Sequence, residues 1–338
     1  MDTRRIGSTE LCSTALGFGS APLGNRFRAL TESACSELVD DAWDRGMRLF
    51  DTAPMYGYGL AENRLGTALR GRPRADYLLS TKVGRLLRPA PCSSADDDMW
   101  TGVPPMRVQY DYTYSATMRS IEDSLQRMLT DRIDIVFIHD CDRYGHGDEQ
   151  PAVFREAMTG AATALMDLRE QGVIGAVGVG VNEADVCVAA AQRGGFDLFL
   201  LAGRYSLLEQ ESLDELMPLC VEQGISLFLG GIYNSGILAT GAVPGAHYNY
   251  APATPAVMSR VSEIEKICAA HDVPIAAVAV QFVLAHPAVA SVLLGASTVE
   301  QQARNCELAN RGLPDGVWDD LLTAGLIRAD APLPARQD

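Results

Sequence analysis

The chain has 338 residues, 28 of them basic and 43 acidic, for a formal charge of −15 at pH 7. With 47% hydrophobic and 21% charged residues it has the proportions of an ordinary globular protein, long enough for one large domain or two medium ones. Such acidity argues against nucleic acid or an anionic membrane surface as the main partner, because phosphate binding draws on clustered Lys and Arg. An anionic cofactor would need a local site built against that field.

Residues 1–14 mix Asp2, Arg4, Arg5 and Glu10 with no apolar core, so no signal peptide is expected. Arg5-Ile6-Gly7 is expected to pair with residues 13–16 as a β-hairpin closing the bottom of the fold. Strands are expected at 15–19, 48–52, 77–82, 133–139, 176–180, 198–201, 226–229 and 290–295. Several are apolar throughout, as in Ile135-Val136-Phe137-Ile138, which is the pattern of strands buried on both faces. Helical patterns lie between them, at 32–45, 61–69, 115–129, 154–171, 183–193, 212–223, 256–271 and 299–308. Thr31 is placed as a helix N-cap, and Gly46, Gly172 and Gly224 as helix stops. Residues 84–114, rich in Pro and Asp, read as a long loop after the third strand. The apolar stretch 273–295 has the length of a membrane span, but Pro274, Gln281, His286 and Pro287 break it into a buried helix, a turn and a buried strand.

Eight strand-then-helix units without a linker point to one (β/α)₈ TIM barrel over residues 1–338. The doubly wound alternative needs G-x-G-x-x-G after the first strand. The chain reads Gly17-Phe18-Gly19-Ser20-Ala21-Pro22 there, and Pro22 breaks that fingerprint. The eight Cys, with no C-x-x-C pair, are expected to be reduced thiols of a cytoplasmic protein. His139, Asp140, Cys141, Asp142, His146 and Asp148 are metal-ligand types, but their spacing fits no zinc pattern, so no metal is expected.

Asp51, Lys82 and His139 each end a predicted strand, and Tyr56 follows Asp51 closely. In a barrel these ends share one mouth. A phenol with a pKa of about 10 is a poor acid or base at neutral pH. A neighbouring ammonium would stabilise its phenolate, and a carboxylate would hold that ammonium in place.

This set resembles the aldo-keto reductase superfamily, as do the run Phe50-Asp51-Thr52-Ala53-Pro54-Met55-Tyr56-Gly57, the segment Glu62-Asn63-Arg64-Leu65-Gly66, and Gly295-Ala296-Ser297. The segments around Gly19, His139 and Tyr205 look like the bacterial D-threo-aldose (L-fucose) 1-dehydrogenase branch, to which pyridoxal 4-dehydrogenase is similar. The resemblance implies hydride transfer with a nicotinamide dinucleotide. Tyr56 would be the general acid/base, Lys82 and Asp51 its tuning pair, and His139 the group that orients the substrate oxygen. It implies cofactor contacts from Gly19, Ser20, Asn182, Gly230, Tyr233, Gly236, Leu238, Gly295, Ala296, Ser297, Gln301 and Asn305. Met55, Trp100 and Asp140 would meet the substrate.

Two positions depart from the superfamily pattern: Ala202 replaces a common Gln, and Gly230 a ring that stacks on nicotinamide, for which Tyr233 could compensate. The segment from Gly295 into the last helix offers backbone N–H groups to phosphate. Ala296, Thr298 and Gln301 stand where cations would meet a 2′-phosphate, leaving Arg304, and Glu300 opposes one. NAD is therefore expected over NADP. The expected substrate is a small aldose, aldehyde or hemiacetal, and oligomerisation stays open. A cofactor-binding regulatory subunit is the non-enzymatic alternative.

Overall fold

A strand that is apolar at every position has no face to turn to water, so it must be enclosed on both sides. The computed structural model describes residues 1–90 and 99–336. In it eight parallel strands close into a barrel: β1 (Leu16–Gly19), β2 (Leu49–Asp51), β3 (Leu78–Val83), β4 (Ile135–His139), β5 (Ala176–Val181), β6 (Leu198–Ala202), β7 (Ser226–Gly230) and β8 (Val289–Leu294). Chain neighbours pair in order, and β8 joins β1. Every barrel strand lies within two residues of its expected position. The Thr31 hydroxyl accepts from Ala34 N at 3.2 Å, and Gly46, Gly172 and Gly224 all have positive φ.

Two apolar layers hold the barrel. One lies between the strands and the surrounding helices. The other fills the interior with Leu49, Ile135, Phe137, Leu198, Leu200 and Phe228. Ile6, fully buried, plugs this inner layer at the bottom, a burial that stabilises by roughly 1.5–3 kcal/mol.

The plug corrects the expected N-terminal register. The hairpin pairs Thr3–Arg5 with Cys12–Thr14, and Ile6 and Gly7 fall in its turn because Ile6 is drawn into the barrel. Residues 84–114 are also not simply a loop. Arg85–Pro89 pairs antiparallel with Met106–Tyr110, from Arg85↔Tyr110 to Pro89↔Met106. The short alternating runs are hidden in the sequence by flanking prolines. Cys92 lies outside the described residues. The seven described cysteines are free thiols.

The stretch 273–295 resolves as buried helix Ile275–Leu284 followed by β8, and no single described helix is long and apolar enough to cross a membrane. The expected helix 154–171 is part of a longer one, running from Gln150 to Glu170 through a π turn at Ala157–Ala161. Helix Asp315–Thr323 had no counterpart in the sequence reading.

Candidate active site

The barrel register brings the four chemistry-bearing residues together. Asp51 pairs with Ser80, Lys82 with Phe137, and His139 with Gly180 across β2–β3–β4–β5. The Lys82 ammonium donates to Asp51 Oδ2 and to the Thr52 carbonyl, both at 2.8 Å, and Ser80 Oγ donates to Asp51 Oδ1 at 2.7 Å. Lys82 Nζ lies 4.8 Å from the centre of the Tyr56 ring. The Tyr56 ring stands edge-on to His139 at 6.2 Å and tilted against Trp100 at 6.0 Å. Tyr56, Lys82, His139 and Trp100 line one cavity of about 150 Å³ at the mouth, with Asp51 behind Lys82.

Tyr56 is aimed by backbone. The turn after β1 and the turn carrying Tyr56 meet at two glycines, where a Cβ on Gly24 would sit 2.6 Å from the Tyr56 carbonyl carbon and one on Gly57 2.4 Å from Gly24 O. Any side chain there would push the loops apart. The following helix, Leu60–Leu69, locks the arrangement through the Glu62…Gly66 segment. Buried Glu62 accepts from Thr81 Oγ1 at 2.7 Å and Arg127 Nε at 2.5 Å. Buried Arg64 donates to the carbonyls of Leu23 and Leu30, to Asn25 and to Glu32. A Cβ on Gly66 would lie 2.1 Å from Met128 O, so only glycine admits the helix crossing there. That segment is scaffold, and it fixes where the phenol points.

The electrostatics correct one expected sign. Burial pushes the Tyr56 phenol above its ordinary pKa; Lys82 pulls it down, by charge and by hydrogen bond, without overcoming burial. Burial also works against the Lys82 ammonium, but Asp51 and Tyr56 outweigh it and its pKa rises. Burial, then Arg85 and Lys82, hold His139 well below the usual imidazole range. The resting site is thus a neutral phenol, a fixed ammonium and a neutral imidazole. A neutral imidazole can donate a hydrogen bond to a substrate oxygen, and a phenol beside an ammonium can pass a proton either way.

The rest of the wall is polar and aromatic. Asp140 pairs with Arg85 and lies 3.5 Å from His139 Nε2. Asn182 Nδ2 reaches Asp140 Oδ1 at 3.3 Å. Met55 touches Arg85, and Trp100 forms a bridge with Arg26.

The expected cofactor residues lie at and after the ends of β1, β7 and β8, with Asn182 after β5 in the same wall as Asp140. Gly19 and Gly295 are close neighbours, 3.5 Å separating a Gly19 Cβ position from Gly295 N. Buried Ala296 follows, and Asn305 shares a helix face with Gln301.

The expected row of free amides is corrected. The Thr298 hydroxyl accepts from Gln301 N at 3.2 Å, and the Gln301 side chain accepts from Ser297 N at 2.9 Å. This is a capping arrangement that satisfies two of those donors locally. Likewise the amides of Gly236 and Leu238 both donate to the Tyr233 carbonyl, and the Leu238 side chain is buried in the core.

A family model for the aldo/keto reductase family matches residues 15–323. The chain belongs to the aldo/keto reductase family. It is 39% identical over 336 residues to a pyridoxal 4-dehydrogenase of Microbacterium luteolum, covering 96% of this chain and 98% of that one. It is 38% identical over 322 residues to a D-threo-aldose 1-dehydrogenase of a Pseudomonas species, covering 94% and 95%. An aldo-keto reductase from Bacillus halodurans, solved in its holo form, superposes with a TM-score of 0.73 at 25% identity, covering 100% of this chain and 98% of that one.

Aldo-keto reductases use nicotinamide cofactors, and this mouth fits one. Ser20 Oγ and the Tyr233 hydroxyl are buried without a hydrogen-bond partner. At Gly230 a Cβ would meet only Leu200 Cδ2, at 3.7 Å, which leaves room for a flat ring beside β7.

Sequence reasoning missed at least five groups at this site, among them Arg26 in the cavity wall. Arg85 opens the hairpin after β3. Tyr144, after β4, and Tyr250, at the turn of the His247–Tyr248/Ala251–Pro252 hairpin, approach each other at 5.8 Å over the cavity. Arg28 donates to Ser297 O at 3.1 Å, a second cation beside the one counted at Arg304. Asn249 and Tyr250 take positive φ, 47° and 69°, in the tight turn of their hairpin.

Proposed function

We propose that this chain is a cytoplasmic, single-domain, NAD-dependent dehydrogenase that oxidises the anomeric carbon of an aldose of the L-fucose or D-threo-aldose kind to a lactone. The observation that carries the reading is the buried Asp51–Lys82–Tyr56 chain facing neutral His139 in a cavity sized for a small ring. A bound dinucleotide would supply the hydride acceptor, and Ser20, Asn182, Tyr233 and the turn Gly295–Ser297 would hold it. Tyr56 acts as base once its own proton has left to solvent: the phenolate, stabilised by Lys82, takes the proton of the anomeric hydroxyl and returns to phenol as the hydride leaves C1, and Asp51 fixes Lys82. His139 donates to the same substrate oxygen and sets its angle. Met55, Trp100 and Asp140 close the substrate side.

NAD over NADP rests on Glu300. This exposed carboxylate stands at the start of helix Val299–Asn310, and its own backbone amide and the Thr298 hydroxyl hold its pKa low, so it stays charged. Thr298 and Gln301 add no positive charge.

A second reading, oxidation of pyridoxal to its 4-lactone, is favoured by the 39% relative and by the aromatic wall of Trp100, Tyr144 and Tyr250. The regulatory-subunit alternative is opposed by the intact Tyr56–Lys82 pair. A panel of aldoses and pyridoxal, each offered with NAD and with NADP and followed by NADH or NADPH absorbance, tests all of this. The expected result is fastest turnover of an aldose with NAD. No reduction of either cofactor with any sugar would refute the proposal.

A further inference from the structure

Arg85 is a buried guanidinium in the wall of the catalytic cavity, and the chemistry described above does not use it. It is 4% exposed and its Nε has no hydrogen-bond partner. Three contacts fix it: the Asp140 carboxylate, the Met55 sulfur, and the face of Tyr110 at 5.1 Å. Asp140 is held just as firmly. It occupies a left-handed backbone conformation at φ 45°, a strained setting for a residue with a side chain. The Tyr112 hydroxyl braces it from behind, bonding the carbonyls of His139 at 2.8 Å and Asp140 at 3.1 Å.

The wall therefore presents, side by side, a rigid fork of donors and a rigid pair of acceptors. A lone cation would select an anionic substrate, and a lone carboxylate a cationic one. The compensated pair by itself selects neither, and the Arg26 guanidinium in the same lining lies over the Tyr250 ring at 5.8 Å, outside the pair. The pair matches a neutral group that donates and accepts through two adjacent oxygens, which is what a vicinal diol presents. The guanidinium donates to one hydroxyl, and the carboxylate accepts from its neighbour. Because His139 Nε2 is 3.5 Å from Asp140 Oδ2, the pair begins one contact from the group that orients the reacting oxygen.

We propose that Arg85 and Asp140 form a clamp that reads the vicinal pair of hydroxyls nearest the reacting carbon, O2 and O3 of the aldose. The inference rests on the aldose reading of this site and names which part of the sugar it recognises. A site built to bond a hydroxyl rejects the analogue lacking it strongly, because its own buried polar groups are left unpaired.

The test compares L-fucose with its 2-deoxy, 3-deoxy and 4-deoxy forms and with pyridoxal on the wild-type enzyme. Loss of O2 or of O3 is expected to lower kcat/KM by roughly 100-fold or more, and loss of O4 by less than about tenfold. The same ratios are then measured on Arg85→Lys, which keeps a cation beside Asp140 but not the planar fork, and on Asp140→Asn. In both variants the O2 and O3 penalties are expected to shrink to within about tenfold. Each ratio comes from one preparation, so a reduced folded fraction cancels. If a variant does not fold, the wild-type panel alone decides. Aldose turnover indifferent to O2 and O3, pyridoxal turnover equal to that of the best sugar, or penalties unchanged in the variants would each overturn the clamp while leaving the dehydrogenase standing. No sugar turnover at all would overturn both.

Discussion

Replacing Lys82 by Met tests the centre of the site. Lys82 is 1% exposed and Asp51 2%, and they meet at 2.8 Å. Methionine fills similar volume but leaves the Asp51 carboxylate buried with Ser80 Oγ as its remaining close partner. Removing one member of a buried pair typically costs ~3–5 kcal/mol, chiefly by stranding the other charge. At ~2 °C per kcal/mol for a chain of this size, the melting temperature should fall by about 6–10 °C. The catalytic effect has its own sign. Burial already raises the Tyr56 pKa, and Lys82 is the principal group pulling it down. Without the ammonium the phenol holds its proton more tightly, so the limb of kcat/KM that rises with pH in the oxidation direction should move to higher pH. Thermal unfolding and pH–rate profiles, taken below the new melting temperature, check both effects. A variant that keeps the wild-type pH profile while losing rate would refute the coupling of Lys82 to Tyr56.

Tyr56→Phe should abolish turnover while NADH still binds, as read by fluorescence titration, because only the proton carrier is lost. kcat/KM for NAD should exceed that for NADP by at least about tenfold; replacing both Thr298 and Gln301 by Arg should narrow or reverse the gap, and Arg28→Ala should lower whatever NADP activity the wild type has. Burial raises the Asp140 carboxyl to about 6, opposed by Arg85 and Lys82 and reinforced by Asp142. Its charge is complete only above that value, so KM for the aldose should rise as pH falls through about 6, and Asp140→Asn should lose this dependence. Arg64→Ala should lower the melting temperature and cut kcat, since the guanidinium ties the loop after β1 to the helix that follows Tyr56.

The barrel was legible because each of its strands announces itself locally. A run such as Ser291-Val292-Leu293-Leu294 has one way to be buried, and eight runs alternating with amphipathic segments have few architectures open to them. Asp51, Lys82 and His139 carry the same kind of local signal, a polar residue ending an apolar strand, and Tyr56 follows Asp51 by five positions. What stayed hidden depends on partners far away in sequence. Arg85 meets Asp140 across 55 positions, and Arg28 reaches Ser297 across 269. No pattern within a window of ten or twenty residues carries such a pairing. The capping at Thr298 and Gln301 is a different case. The Thr-x-x-Gln spacing stood in the sequence, and reading it as a cap would have removed two amides from the phosphate seat in advance.

The two ion pairs of the mouth also resolve the conflict between a −15 chain and an anionic cofactor. Lys82 with Asp51 and Arg85 with Asp140 each bring their own counter-charge, and Arg26 adds a further cation to the same wall. Exposed carboxylates farther away are screened over ~8 Å at physiological salt. On the proposed reading the choice of dinucleotide would be made within that radius, where Arg28 and Arg304 stand against Glu300 at the start of helix Val299–Asn310. The surplus of acidic residues governs solubility and long-range approach. It leaves the reaction alone, which explains how so acidic a chain can keep a site for a nicotinamide dinucleotide.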